Sequence, residues 1–362
     1  MPLSIERKNT RQIRVGRVPV GGGAPVAVQS MTNTFTEDVD ATVAQIRRLT
    51  EAGCEIIRVA VPDKTAAAAI AAIRSQIDIP LIADIHFDYQ LAIAAIDSGA
   101  DGIRINPGNI GGENRVKAVA AAAAARDISI RIGVNAGSLE KDLLKKHGGP
   151  AAGALVESAL RHIDRMAGYG FEQVKVSIKS SDVLQTVDAY RRFSAASDVP
   201  LHVGVTEAGG LYSGIVKSSV GIGALLLEGI GDTIRVSLTR DPVEEVRVAY
   251  EILKSLGIRR RGPEIISCPT CGRCNIDLFS ICEAVEKAMM TKTAPIKVAI
   301  MGCEVNGPGE AKEADVGIAG GRGKGVLFKK GKVVEKLPQD QLVKRLLAAV
   351  AEFEAENPEN AH

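Results

Sequence analysis

Three cysteines, Cys268, Cys271 and Cys274, stand at two-residue spacings in the stretch SCPTCGRCN, in a chain that has only six. Thiolates so spaced suit a metal or a redox pair. A zinc ribbon needs a second CxxC or a histidine pair, and past residue 260 the only histidine is His362. A thioredoxin-like dithiol leaves Cys303 without a role, although Cys303 lies in IMGCEVNGPGE, where an apolar run meets an Asn-Gly-Pro-Gly turn. Turn glycines let backbone approach a bulky inorganic group and offer N–H donors to its sulfurs. An iron–sulfur cluster therefore fits best, with Cys268, Cys271 and Cys303 as thiolate ligands. Two residues compete for the fourth position. Cys274 would complete an all-cysteine site, whereas Glu310, closing NGPGE, would supply a carboxylate that a substrate can displace.

A second set of chemistry-bearing residues sits where apolar side chains are expected. In short β-rich runs, polar residues recur two apart and so share a face. Asp84 and His86 do so in IADIHF, Arg104 and Asn106 in GIRIN, Ser177 and Lys179 in VKVSIK, and Arg235 and Ser237 in TIRVSL. Arg131 and Asn135 share a face in ISIRIGVN, Arg58 lies within IIRVAV, and Glu207 ends LHVGVTE. Any one of these alone is explained by a structural ion pair. Together, four arginines and a lysine with fewer carboxylates describe a site for a multiply anionic ligand. Arginine forks match phosphate oxygens bidentately, which points to a diphosphate. Asp84, His86 and Glu207 are left for proton transfer or hydroxyl binding. His202, flanked by apolar residues, reads as structural, and His147 and His162 read as surface residues.

The elements that must position these groups follow from the periodicity. Eight strand-like runs, residues 26–31, 56–61, 81–87, 102–106, 128–135, 173–179, 201–207 and 233–238, alternate with helix-patterned segments. Eight βα units in this length indicate a TIM-type (β/α)8 barrel, an α/β fold whose active site lies at the C-terminal ends of the strands. The alanine tracts TAAAAIAAI and AVAAAAAAR read as outer helices, since alanine is the strongest helix former. After GIRRRGPE the composition changes and five of the six cysteines appear. A boundary near residue 260 follows, with residues 1–260 as the barrel and 261–362 as a small α+β unit. That unit reads as a helix over IDLFSICEAVEKAMMT, a strand KVAIMG, a glycine-rich passage, a hairpin around GVLFKKGKVVEKL and a closing helix.

Bulk composition narrows the class of function. A formal charge of +2 and 24% charged residues give no footprint for nucleic acid, and 3% aromatics without tryptophan give little material for stacking bases. No apolar run reaches membrane-spanning length, and the first residues do not pattern as a signal peptide. A cytoplasmic location is the expectation, where cysteine clusters serve metals or catalysis more often than disulfides.

The motifs SCPTC and GCEVNGPGE, behind a barrel with ADIHF, GIRINPGN, IRIGVNAGSL, VTEAGG and GIGDTIRVSL, resemble the 4-hydroxy-3-methylbut-2-enyl diphosphate synthase family of the non-mevalonate isoprenoid pathway. The likeness runs over nearly the whole chain. It implies a [4Fe–4S] enzyme that opens 2-C-methyl-D-erythritol 2,4-cyclodiphosphate and reductively removes a hydroxyl, with flavodoxin or ferredoxin as electron donor. Family ligands map onto Cys268, Cys271, Cys303 and Glu310, so the resemblance favours the carboxylate, while Cys274, Cys282 and Cys54 are not family ligands. Diphosphate contacts map onto Arg58, Arg104, Arg131, Lys179, Arg235 and Ser237. Asp84, His86, Asn135 and Glu207 map around the carbon skeleton, Glu207 as proton donor, and Asn306 beside the cluster. The bacterial two-domain build implies a homodimer in which one subunit caps the barrel of the other. Two rival readings are an iron–sulfur sensor or electron carrier with a phosphate-binding barrel, and a barrel transferase resembling dihydropteroate synthases.

Overall fold

The computed structural model describes residues 5–303, 311–321 and 323–357. The chain divides into two compact units, Met1–Arg259 and Arg260–His362. The first opens on a hairpin that the sequence pattern does not announce, β1 (Ile13–Val15) and β2 (Val18–Val20), because strands of three residues carry no readable alternation. Ile13, Val15 and Val20 pack on Ala27, Ile56 and Ile82, at the starts of the next strands. That contact plugs the N-terminal end of the barrel.

The barrel strands are β3 (Ala27–Met31), β4 (Ile56–Ala60), β5 (Leu81–Asp84), β6 (Gly102–Ile105), β7 (Ser129–Asn135), β8 (Val174–Lys179), β9 (His202–Val203) and β10 (Thr233–Ile234). All are parallel, in the order β8-β7-β6-β5-β4-β3-β10-β9, and a bridge between Val176 and Leu201 joins the two ends of the sheet. The expected (β/α)8 barrel is present. Its last two strands are much shorter than the patterns over 201–207 and 233–238 suggest, and the reason is local. Beyond Arg235 the chain leaves the ladder, and the Leu238 N–H goes instead to the Glu245 carboxylate at 2.9 Å.

Between strands run α1 (Val39–Ala52), α2 (Lys64–Arg74), α3 (Tyr89–Asp97), α4 (Pro107–Ile110), α5 (Glu113–Ala125), α6 (Lys141–His147), α7 (Ala152–Gly168), α8 (Val183–Ala196), α9 (Leu211–Leu227) and α10 (Pro242–Ser255). Asp38, Asp63, Asp88, Asp182 and Asp241 each precede one of these and accept a first-turn N–H, the arrangement that fixes where a helix starts. These starts sit at the C-terminal ends of the strands. The alanine tracts bury Ala66, Ala67 and Ile70 in α2 and Val119, Ala120 and Ala123 in α5, so they are the outer helices expected.

Among the described residues, the second unit is a five-stranded mixed sheet with two α-helices. Its order is β11 (Glu264–Ser267), β12 (Lys297–Met301), β13 (Val316–Gly320), β14 (Lys324–Lys329) and β15 (Lys332–Pro338), parallel for the first three and antiparallel after that. The helices α11 (Leu278–Met289) and α12 (Leu342–Glu356) pack on it through Ile281, Val285, Leu346 and Val350. The expected helices, strand and hairpin are there, but β13 lies inside the passage read as glycine-rich loop. Its Gly317 is a packing glycine, since a Cβ there would lie 2.4 Å from the Phe328 ring on β14. A glycine required by a neighbouring ring looks, in sequence, like a turn.

Candidate active site

The C-terminal ends of the barrel strands enclose a cavity of about 470 Å³. Strand register explains who lines it. Asp84 on β5 pairs with Arg104 on β6, Arg104 with Arg131 on β7, and Asn135 with Lys179 on β8, so the same inward face is continued from strand to strand. Arg58, Asp84, His86, Arg104, Arg131, Asn135, Lys179, Glu207, Arg235 and Ser237 all line this one cavity. Asn106, which the spacing pairs with Arg104, instead caps α4 through the Gly108 N–H and bonds Ser138. Asn306 and Glu310 lie outside the described residues.

Positive charge dominates the cavity. Asp84, 3% exposed, accepts from Arg104 Nη1 at 3.2 Å and faces Arg58 Nε at 3.7 Å and His86 Nε2 at 3.5 Å. Burial alone would raise its pKa, but Arg58, His86 and Arg104 outweigh burial and hold the carboxyl well below its usual range. The cations feel the opposite pressure. Burial and the neighbouring arginines push Arg58 down to about 10, and the same causes lower Arg131 and Lys179 well below their ordinary values. Arg131 has one hydrogen bond, to Ser177 Oγ at 3.2 Å, while its Nε and Nη2 have no partner among the described residues. Nε of Arg104 and Nε of Arg235 are likewise unsatisfied. Buried donors without a partner in a cluster of cations leave positive charge in the cavity wall that the described residues do not neutralise.

Several residues that shape the site escaped the sequence reading. Glu245 on α10, 3% exposed, takes Arg235 Nη2 at 3.3 Å and holds its direction. Met31 Sδ lies 2.9 Å from Arg58 Nη2. Gly133 and Gly204 face inward where a Cβ would lie 2.7 Å from Arg104 Nε and from Lys179 Nζ, so the missing side chains make room for the cations. Only the absence of a side chain between two charged inward residues, as in RIGVN, could have signalled this.

The remaining predicted groups separate. Glu207, expected at a strand end, lies past β9 in an exposed bend with φ of 52°, a left-handed backbone that a non-glycine residue rarely adopts. That conformation sets its carboxylate at the cavity rim. His86 is exposed at the same rim. His202 is fully buried with Nδ1 2.8 Å from Thr233 Oγ1, the structural role expected. His162 is not the surface residue expected: it is 2% exposed on α7, 3.3 Å from Glu140, and burial pushes its pKa down to about 4. His147 is half-buried and sits 2.9 Å from Glu157. His162 on α7 meets Glu140 just ahead of α6, and His147 at the end of α6 meets Glu157 on α7, contacts with no signature in a single helix pattern.

The cysteines gather at one edge of the second unit. Cys268 follows β11 and Cys303 follows β12, and these parallel strands pair Ser267 with Ile300, which sets both thiols at the C-terminal edge of the sheet. All six cysteines of the chain are free thiols. The Gly302 N–H donates to Cys268 Sγ at 3.1 Å, and the Arg273 backbone and side chain lower the pKa of Cys271. Soft thiol donors with a backbone N–H already on one sulfur fit an iron–sulfur cluster. Glu310 lies outside the described residues, and among those described no three histidine, cysteine, aspartate or glutamate side chains form a group that could hold a metal ion. Cys274 turns to the Ile276 carbonyl at 3.3 Å, and Cys282 packs half-buried on the α11 side of the core.

Comparison with known proteins supports the barrel and shows the family. A dihydropteroate synthase of Stenotrophomonas maltophilia superposes with a TM-score of 0.50 at 14% identity, over 67% of this chain and 98% of that one, a likeness of fold. The chain is 61% identical over 97% of its length to a protein of Desulfotalea psychrophila named 4-hydroxy-3-methylbut-2-en-1-yl diphosphate synthase (flavodoxin), covering 98% of it. Proteins of the same name from Geobacter sulfurreducens and Bacillus cytotoxicus are 57% and 56% identical, over 97% and 98% of this chain and 99% and 96% of theirs. Residues 10–250 match the GcpE TIM-barrel domain and residues 264–352 the GcpE protein C-terminal domain, and the chain belongs to the GcpE family.

Proposed function

We propose that this chain converts 2-C-methyl-D-erythritol 2,4-cyclodiphosphate to 4-hydroxy-3-methylbut-2-enyl diphosphate, as an oxidoreductase that takes its electrons from flavodoxin. The observation that carries this reading is the barrel cavity, where Arg58, Arg104, Arg131, Lys179 and Arg235 face two buried carboxylates, Asp84 and Glu245. Relatives more than half identical over nearly the full length carry the name of this enzyme, which favours it over the sensor and transferase readings.

The chain's residues divide the work. Arg104, Arg131, Lys179 and Arg235, which line the cavity, bind the diphosphate oxygens, and Ser237 adds a hydroxyl. Asp84, bridging Arg58 and Arg104, and Glu245, behind Arg235, fix the guanidinium planes before substrate arrives. Glu207, at the rim, delivers the proton that leaves with the departing hydroxyl as water. Asn135 and His86 orient the carbon skeleton. Cys268, Cys271, Cys303 and Glu310 would hold a [4Fe–4S] cluster, with Asn306 beside it. When bound, that cluster supplies the electrons for breaking the carbon–oxygen bond. The protein works as a homodimer in the cytoplasm, where its free thiols stay reduced.

Anaerobically purified protein should be brown, contain iron and sulfide, and turn over the cyclodiphosphate with reduced flavodoxin. A colourless protein holding only zinc, or a cluster protein that neither binds nor converts the cyclodiphosphate, overturns the reading.

A further inference from the structure

Lys175 is a buried cation that the proposed chemistry leaves unused. It lies on β8 two residues before Ser177 and four before Lys179, on the same inward face but deeper in the barrel, and it is 1% exposed. In the strand register it stands beside Arg131. Its Nζ has no hydrogen-bond partner among the described residues, and neither have Nε and Nη2 of Arg131, the side-chain amide of Gln29 on β3, or Nε2 of His202 on β9. A layer of open polar atoms thus underlies the diphosphate cavity.

The charges that face Lys175 do not balance it. Arg131 on β7 and Arg58 on β4 oppose its charge, and His202 on β9 is held neutral by burial and the same cations. Asp232, ahead of β10, is the carboxylate that favours it, but that group is already engaged by the Leu201 N–H at 2.8 Å, Thr10 Oγ1 at 3.0 Å and Arg7 at 2.9 Å. Burial first, and then Arg131 and Arg58, push Lys175 down to about 7. An ammonium here has only that already engaged carboxylate as counter-charge. The ligand can provide another. Each phosphorus of a cyclic diphosphate carries a single strongly acidic oxygen, so the ligand brings fixed negative charge and does not itself titrate near neutrality.

We propose that Lys175 is a positioning residue that takes up a proton when the diphosphate enters the cavity, setting a second layer of positive charge beneath Arg131 and coupling substrate binding to pH. This rests on the diphosphate reading of the cavity. The sign follows from the direction of the change. Free protein loses this proton as pH rises through about 7, the bound form keeps it to higher pH, and affinity therefore falls with rising pH between those two values.

The test is calorimetric titration of oxidised holoenzyme with the cyclodiphosphate, without reductant, in buffers of different ionisation enthalpy. At pH 8 the wild-type protein should take up more protons than Lys175→Met by roughly half a proton or more, with any uptake left in the variant belonging to Lys179. Between pH 7 and 9 the affinity of Lys175→Met should lose pH dependence, relative to wild type, by up to about tenfold per unit. Its thermal midpoint should equal or exceed that of wild type, because it removes a buried amine that has no hydrogen-bond partner among the described residues, and Lys175→Gln serves the same comparison if the methionine variant is poorly folded. Equal proton uptake in a folded Lys175 variant and in wild type overturns the proposal and leaves the diphosphate reading standing. Failure of wild-type holoenzyme to bind the cyclodiphosphate overturns both.

Discussion

On the proposed reading the barrel mouth and the cysteine edge each receive a group the protein does not make, yet they are built very differently. In the barrel, register alone sets Asp84, Arg104 and Arg131 side by side, two buried carboxylates fix the arginines, and inward glycines keep space open. At the cysteine edge, β11 and β12 bring Cys268 and Cys303 to one end of a sheet, but the described donors form no group that could hold a metal. Rigid strands position the first, whereas the second takes its donors from the turns that follow β11 and β12.

Changes on the two sides should therefore fail in different ways. The largest effect on turnover is expected from Cys268→Ala, which should lose iron and sulfide and bring activity to background while cyclodiphosphate affinity stays within about threefold of wild type. Asp84→Asn acts on the barrel. It leaves Arg58 and Arg104 without their shared counter-charge and should lower folding stability by about 3–5 kcal/mol in chemical denaturation. Its pH signature has a definite sign. The depressed carboxylate of Asp84 stabilises the fold at all pH above the ordinary carboxylate range, about 4, and that contribution is lost as pH falls through its lower folded value. Acid unfolding of wild type should contain this component, and that of Asp84→Asn should lack it.

A smaller change separates binding from folding within the barrel. Arg131→Met removes two open donors and should weaken cyclodiphosphate binding by about 1.5–3 kcal/mol, roughly ten- to a hundredfold, with the thermal midpoint unchanged or raised. The smallest effect is expected from Cys274→Ala. Its thiol turns to a backbone carbonyl, so cluster content and turnover should both stay within about twofold of wild type. A variant that loses its cluster would return the fourth ligand position to Cys274.

The contrast also explains what the sequence could show. Inward polar residues two apart, Asp84 and His86 in IADIHF and Ser177 and Lys179 in VKVSIK, were legible because a strand's period is fixed, and the structure gathers them in one cavity. Glu245 was not, because it reaches Arg235 from an amphipathic helix whose other acidic residues, Glu244 and Glu251, are on its outer side. Lys175 was hidden by its own pattern, one more charge in an alternating strand, and only its depth in the barrel distinguishes it from Lys179. The hairpin of Ile13–Val15 and Val18–Val20 and the strand Val316–Gly320 were missed because each is defined by what it packs on: the floor of the barrel for one, the Phe328 ring for the other. Glu207 was placed at a strand end, and its left-handed backbone depends on tertiary packing that no local pattern encodes.

The most direct measurement is the affinity of full-length protein for the cyclodiphosphate before and after its iron and sulfide are removed by chelation. A preorganised barrel predicts that apoprotein binds within a few-fold of holoprotein, with Arg131→Met weakening both alike. Apoprotein that does not bind, or that binds without regard to Arg131, would contradict it.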